Sequence, residues 1–375
     1  MKRILIAAGN PCSVEFRGGQ PYYFYSAGRA VNFIHEALPL VPESLAWRRS
    51  LWNIGSLVAH GTPFGFQYSR TFRNHLFAPH RRKVGAVEYI SYFPLLPPEP
   101  WPRCWTVNYY IDATLKQNFD DYGLGVRLSR RIRAQALDQE RRNYENAKRI
   151  VCRSTWAASS VISDYGIRPE KVHVILPGAS LDEPVEEEVP IRACPTLKPL
   201  RLGIVGKEWQ RKGLRFLLSV ADDLKMRGYD AEVAVIGPEP GEMPRHPNIR
   251  PMGYLTKGGD ATKFVREIRS WHFGCLFSRA EALPSFLREC LRLGVPILAR
   301  RIGGIPDAVP SGLGFLFEPD APPDQVADLL IGFVEAPDQY AELRGRVAAR
   351  ATEFSWDRAL EKFVALWQGA GSLAA

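Results

Sequence analysis

The sequence predicts an α/β protein built as two doubly wound, Rossmann-like domains. Three observations carry that prediction. The chain has 375 residues, room for two domains at roughly 100–200 residues each. Short apolar, β-rich runs alternate along it with longer helical patterns, as βαβ units with parallel sheets require. A segment over 178–197 interrupts the alternation with Pro184, Pro190, Pro195 and the run Glu186-Glu187-Glu188, and reads as a linker. The domains then run over 1–177 and 198–352, with residues 353–375 following.

The first run, Ile4–Ala8, follows Lys2-Arg3 and ends in Gly9-Asn10-Pro11. A secretory leader carries an apolar core of about 7–15 residues, so this shorter run reads as a buried strand, Arg3–Ala8, and the expected location is the cytoplasm. A glycine loop, Phe16-Arg17-Gly18-Gly19, comes next. Residues 20–100 are dense in aromatics and prolines and yield no firm elements. The next strand, Thr106–Ile111, ends at Asp112-Ala113-Thr114, which puts Asp112 at the carboxyl end of a parallel strand, where such sheets bind ligands. Capping a following helix is its alternative use. Leu124–Ala147 reads as one long helix with Arg127, Arg130, Arg131, Arg133, Arg141 and Arg142. Asp138, Glu140 and Glu145 are interleaved, which suggests a solvated, ion-paired face, or else contact with anionic lipid headgroups. Arg149–Arg153 and Val172–Leu176 complete the strands of this half. In the second half they are Leu202–Val205, Glu232–Ile236, Phe273–Phe277 and Pro296–Ala299.

Composition narrows the function classes. With 46% hydrophobic and 24% charged residues the chain is an ordinary globular protein, neither disordered nor collagen-like. No apolar run approaches the ~18–20 residues of a membrane-spanning helix. The six cysteines and seven histidines show no metal-ligand or redox spacing, so no metal is expected. The net charge of +9 is unevenly spread. Residues 1–175 hold 24 basic and 13 acidic residues, and the remainder 25 and 27. A basic first half suits an anionic membrane surface or a phosphorylated substrate. Nucleic acid is not expected, because no binding signature accompanies the charge.

Three features of the second half stand in order. Gly206-Lys207-Glu208-Trp209-Gln210-Arg211-Lys212-Gly213 follows a strand and precedes the helix Leu214–Met226. A glycine turn beside a helix N-terminus, with three cations, suits a diphosphate. Ser278–Glu289 holds Glu281 in a loop and Glu289 on a helix that Ser285 can cap and Gly294 can close. Carboxylates so placed can accept hydrogen bonds from sugar hydroxyls. Gly303-Gly304-Ile305-Pro306-Asp307 then forms a close-approach turn.

Taken together, this order resembles the nucleotide-sugar-binding domain of family 4 glycosyltransferases, the group 1 glycosyltransferases. The resemblance covers about 201–318 and extends to Val151–Trp156, Tyr165–Ile175 and Phe354-Ser355-Trp356. It implies a GT-B fold, two domains facing across a cleft, with residues 353–375 carrying a helix that crosses back to the first domain. It implies a retaining hexosyltransferase that moves a hexose from a nucleoside diphosphate sugar to an acceptor hydroxyl, in glycan, polysaccharide or glycolipid synthesis. No cofactor or metal is implied beyond the donor, a UDP-, GDP- or ADP-sugar. The acceptor would be a glycan, lipid-linked or small molecule, with the enzyme cytoplasmic or peripheral at the inner membrane face. Lys207, Arg211 and Lys212 would share the diphosphate, with no order among them. Glu281 would hold the transferred sugar, helped by the loop backbone at Leu283, Pro284 and Ser285. Glu289 would take the ribose, and the turns at Gly237 and Tyr254 would flank the base. Gly19 would let the first domain approach the donor, and Asp112 falls roughly where relatives place a polar residue near the sugar. Two departures stand out: Ala282 replaces the usual glycine after the first glutamate, and Pro177-Gly178-Ala179-Ser180 replaces the usual Asn-Gly-Val-Asp. Ala282 keeps a non-catalytic nucleotide-sugar-binding protein in play. A dinucleotide-dependent oxidoreductase is disfavoured because Gly9-Asn10-Pro11-Cys12 lacks the Gly-x-Gly-x-x-Gly pattern.

Overall fold

The computed structural model describes residues 1–80, 85–181 and 196–369. Contacts divide the chain into two units, Met1–Leu176 together with residues from Leu360 onward, and Pro177–Ala359. Most of the expected linker, residues 182–195, lies outside the described residues, as do residues 370–375 of the C-terminal segment. Gly178–Leu181 belong to the second unit, where the Ala179 amide donates to the Phe354 carbonyl at 2.7 Å.

The first unit is one parallel sheet of β1 (Lys2–Ile6), β2 (Glu36–Leu38), β3 (Val87–Ser91), β4 (Trp105–Ile111), β5 (Arg149–Cys152) and β6 (Val172–Val174). Its order is β2-β1-β3-β4-β5-β6. Strands covered by helices on both faces must be apolar on both faces, and β3 is buried at every residue. Its charged member, Glu88, survives there because it is fully engaged. Arg3 Nε donates to it at 2.8 Å, Asn108 Nδ2 at 3.1 Å and Trp367 Nε1 at 2.9 Å. Trp367 lies on the last helix, Trp356–Gln368, whose Phe363 packs 4.8 Å from Phe24 and 4.9 Å from Tyr110.

The second unit is another six-stranded parallel sheet: β7 (Leu200–Val205), β8 (Ala231–Ile236), β9 (Ile249–Gly253), β10 (Phe273–Leu276), β11 (Ile297–Arg300) and β12 (Gly314–Phe317). The order β12-β11-β10-β7-β8-β9 is the doubly wound one, reversing between β7 and β10. The helix Leu214–Met226 buries Leu214, Leu217, Leu218, Val220, Ala221 and Leu224 against this sheet.

Two expected helices begin elsewhere. The arginine-rich helix runs Arg130–Asn146 rather than from Leu124, because Ser129 caps it by accepting from the Ile132 amide. Of its interleaved acids, Asp138 pairs with Arg142, whereas Glu140 is completely buried. The helix Ser285–Arg292 takes Pro284 at its N-cap, with no side-chain cap; Ser285 is its first residue, not its cap. Gly294 does close it, in a left-handed conformation. No described helix is long and apolar enough to cross a membrane.

Candidate active site

The strand order reverses between β7 and β10, the point where doubly wound sheets bind ligands at their carboxyl ends, and the loops that leave those two strands carry the charged residues. After β7 the chain turns at Gly206, runs through a single helical turn, Trp209–Lys212, and turns again at Gly213. Gly213 has φ +87°, and a Cβ there would stand 2.2 Å from the Phe277 carbonyl oxygen, so only glycine lets the two loops close on each other. Trp209 pins the helical turn from outside, its Nε1 donating to the Glu242 carbonyl at 2.9 Å.

The two loops meet at Glu281. Its Oε2 accepts from Lys212 Nζ at 2.9 Å, Arg211 Nη1 at 3.1 Å and Ser278 Oγ at 3.2 Å. Arg211 Nη1 also donates to the Ala280 carbonyl at 2.7 Å, and its Nε to Glu208 Oε2 at 2.9 Å. The loop after β11 supports the same point from below. The Gly304 amide donates to the Glu281 carbonyl at 3.2 Å. Gly303, with φ +51°, passes so close that a Cβ would lie 1.9 Å from that oxygen. The three sequence features at 206–213, 278–289 and 303–307 therefore converge on one acid.

Glu289 sits in the helix that follows, 1% exposed, and Lys257 donates to its Oε1. Burial pushes the Glu289 carboxyl up, and Lys257 and Lys212 pull it back only in part. Leu283 and Ala282 are buried and Ser285 half-buried beside it. Gly237 follows β8 and donates from its amide to the Gly253 carbonyl at 2.9 Å. Tyr254, next along, presents a largely open ring, and Lys207 Nζ rests 3.8 Å from its centre. Lys207 thus stands apart from Arg211 and Lys212, on an aromatic face rather than on a carboxylate. Lys257 and Ser278 were not legible as site residues. Lys257 lies in the loop after a strand that the sequence did not reveal, and Ser278 is an ordinary small residue.

In the first unit, Asp112 follows β4 and is 38% exposed. Arg153 Nη1 lies 3.9 Å from its Oδ2, and the Ala113 amide donates to its Oδ1 at 3.0 Å. Burial pushes its carboxyl up, but Arg153, Arg17 and the neighbouring backbone amides outweigh it and hold it below the usual carboxylate range. Capping is done instead by Thr114, which closes a capping box with Gln117 at the helix Leu115–Asp120. Arg153 is buried between Tyr92 and Tyr110, and its Nη1 donates to Gln20 Oε1 at 2.6 Å. Gln20 directly follows Gly19, and Arg17, Gly18 and Gly19 all have positive φ. A cavity of about 380 Å³ opens beside Asp112, lined by Arg17, Phe66, Tyr92, Phe93 and Leu115 among others. Among the described residues no group of three or more His, Cys, Asp or Glu gathers as a metal site.

Residues 199–335 match the family model described as Glycosyl transferases group 1. Among curated relatives, D-inositol 3-phosphate glycosyltransferase 1 of Catenulispora acidiphila is 24% identical over 246 residues, 60% of this chain and 58% of that protein. The MMP alpha-(1->4)-mannosyltransferase of Mycolicibacterium hassiacum is 23% identical over 62% of this chain and 57% of its own length. The matched stretch thus spans less than two thirds of these relatives. Among solved structures, sucrose-phosphate synthase of Thermosynechococcus elongatus superposes with a TM-score of 0.69 at 14% identity, covering 98% of this chain and 99% of that one. WaaG, a glycosyltransferase involved in lipopolysaccharide biosynthesis, gives 0.66 at 12% identity over 98% and 100%. Anabaena HepE in complex with UDP-glucose gives 0.59 at 14% identity over 98% and 100%. At such identities the structural likeness is one of fold, and the fold is GT-B.

Proposed function

We propose that this chain, whose residues 199–335 form a group 1 glycosyltransferase domain, moves a hexose from a nucleoside diphosphate sugar to an acceptor hydroxyl with retention of configuration. One observation carries the reading: Lys212 and Arg211 converge on the buried Glu281 at the carboxyl ends of β7 and β10. Two cations and an acid held together at a strand-order reversal suit a ligand with a diphosphate at one end and hydroxyls at the other.

In this reading Lys212 and Arg211 turn from Glu281 to the donor's diphosphate, and Glu281 is left to accept from the sugar hydroxyls. Glu289 accepts from the ribose, and the turns at Gly237 and Tyr254 flank the base, with Lys207 over the Tyr254 ring. As the bond from the anomeric carbon to the diphosphate oxygen breaks, its electrons stay on that oxygen. The fixed ammonium and guanidinium stabilise the charge that builds there, in a site already organised for it. The acceptor oxygen bonds the anomeric carbon, and its proton passes to the departing phosphate oxygen. Asp112 and the cavity beside it offer a polar anchor and apolar walls to an acceptor, whether glycan, lipid-linked or small molecule.

Thermal unfolding with UDP, GDP, ADP and their hexose conjugates tests the donor half of the reading. A ligand at about 100 times its Kd stabilises by ~2.7 kcal/mol. One diphosphate is expected to shift the midpoint in the wild type and much less in Lys212→Ala. A folded sample that responds to none of them rejects the donor site. The anomeric configuration of the product, read by NMR, tests retention.

A further inference from the structure

The helix Ala46–His60 wears its apolar face outward. Trp47, Leu51, Ile54 and Val58 fall at i, i+4, i+7 and i+11, within about 60° of one another at 100° per residue. With Leu57 beside them, all five are more than half exposed, Val58 at 85%. The opposite face is the one that meets the protein. Trp52 packs 5.9 Å from Phe66, and Ser56 is the helix's one buried residue. A helix of a soluble domain ordinarily turns such a stripe to its core, and a contiguous exposed apolar patch marks a surface that meets something else.

The patch continues past the helix. Thr62 Oγ1 donates to the Arg127 carbonyl at 2.7 Å, and the Arg127 guanidinium stands 5.4 Å from the centre of the Phe64 ring. Phe64, Leu124 and Val126 are exposed there as well. The charge around it is mostly basic: Arg49 and Arg70 are exposed in the same stretch, with Glu43 one turn ahead of Trp47 and Asp121 ahead of Leu124 as exposed acids. Arg48 lies over the Trp47 ring at 4.2 Å, and Arg127, Arg130 and Arg131 are exposed beside the far end.

We propose that this face docks on an anionic lipid bilayer, with the apolar stripe in the headgroup boundary and the surrounding arginines against lipid phosphates. A bilayer supplies both an apolar interior and an anionic rim. A second copy of the chain would cover the stripe but would set the arginines of one copy against those of the other. Lipid contact, an alternative the sequence offered for the arginine-rich helix, thus centres on Ala46–His60, with only the first arginines of that helix at its edge. The proposal does not depend on sugar transfer, so it can fail without that reading failing, and the reverse.

Flotation of the full chain with vesicles decides it. Vesicles of equal parts phosphatidylglycerol and phosphatidylcholine are expected to carry at least tenfold more protein than vesicles of phosphatidylcholine alone, with the excess falling as salt rises. Leu51→Glu/Ile54→Glu is expected to keep the wild-type unfolding midpoint and lose at least tenfold of the bound fraction. Val58→Glu is the milder second variant, expected to lose part of it. Wild-type protein that stays unbound with phosphatidylglycerol vesicles overturns the proposal, as do folded variants that float like the wild type. A concentration-dependent dimer that the double variant abolishes, without flotation, also overturns it and assigns the face to a second copy.

Discussion

Lys212 and Glu281, 69 residues apart in sequence, meet at 2.9 Å where the loops leaving β7 and β10 close on each other. Neither residue needs the other for the fold. Glu281 keeps Arg211 and Ser278 if the lysine is removed, and Lys212 ends a single helical turn already held by Trp209. In the proposed function the pair is two groups stored against each other until the donor separates them.

Lys212→Ala is therefore expected to cost turnover far more than stability. Loss of a group that meets charge developing in a transition state typically lowers kcat by about 10²–10³. Steady-state kinetics beside a thermal melt checks this. A variant with wild-type kcat removes Lys212 from the diphosphate cradle.

Glu281→Gln separates binding from transfer. The amide keeps an acceptor and the side chain's shape but loses the charge that Lys212 and Arg211 face. Nucleoside diphosphate affinity should stay within a few-fold of wild type or tighten, since the cations are freed. Sugar transfer should fall by at least tenfold. Calorimetric titration with the diphosphate, set against a transfer assay, reads the two effects apart, and undiminished transfer rules out the role given to this acid.

Eight of the twelve strands among the described residues were legible as apolar runs, within a residue or two of their observed ends. The four that were not have physical reasons. β2 has three residues, β9 is an edge strand with Pro251 inside it, and β12 is a short edge strand starting at Gly314. β3 carries Glu88 as its second residue, and a lone charge in a buried strand makes sense only once Arg3, Asn108 and Trp367 are seen around it. The candidate site divides in the same way. Glycines and charges at the carboxyl ends of β7 and β10 follow from local pattern. The grip of Lys257 on Glu289 links residues 32 apart and is set by the crossover after β9. The outward stripe of Ala46–His60 lies in the aromatic stretch where the sequence alone yields no firm elements.

That grip leads to a stability prediction. Removing one partner of a buried pair leaves an uncompensated charge, typically costing about 3–5 kcal/mol. Lys257→Met should cost close to that at pH 8. With that cation gone only Lys212 still opposes burial, so the Glu289 carboxyl is driven further up and the acid sheds its charge more readily as pH falls. The deficit against wild type should therefore shrink between pH 8 and pH 5, read by urea unfolding at both. A constant deficit would mean the lysine acts by packing over Phe264 instead.

A second buried acid gives the pH dependence of the first unit. Glu140 is fully buried and accepts from the Leu115 amide at 3.0 Å on both oxygens, from Tyr144 OH at 2.7 Å and from Tyr165 OH. It holds the start of the helix that follows Asp112. Burial pushes its carboxyl up to about 7, and the tyrosine and amide hydrogen bonds only partly oppose this. An acid whose folded pKa lies above its unfolded value stabilises the fold below the unfolded pKa. That contribution is lost as pH rises through the folded one. Wild-type stability from this group should therefore decline between about pH 4.5 and pH 7, where the folded state holds a proton that the unfolded chain has released. Glu140→Gln keeps a neutral acceptor for the Leu115 amide and removes the titration. Its unfolding free energy should vary less with pH over that window, and the variant should gain on wild type as pH rises from 5 to 8. Parallel profiles for the two proteins would show that Glu140 stays ionised in the fold, with its three donors outweighing its burial.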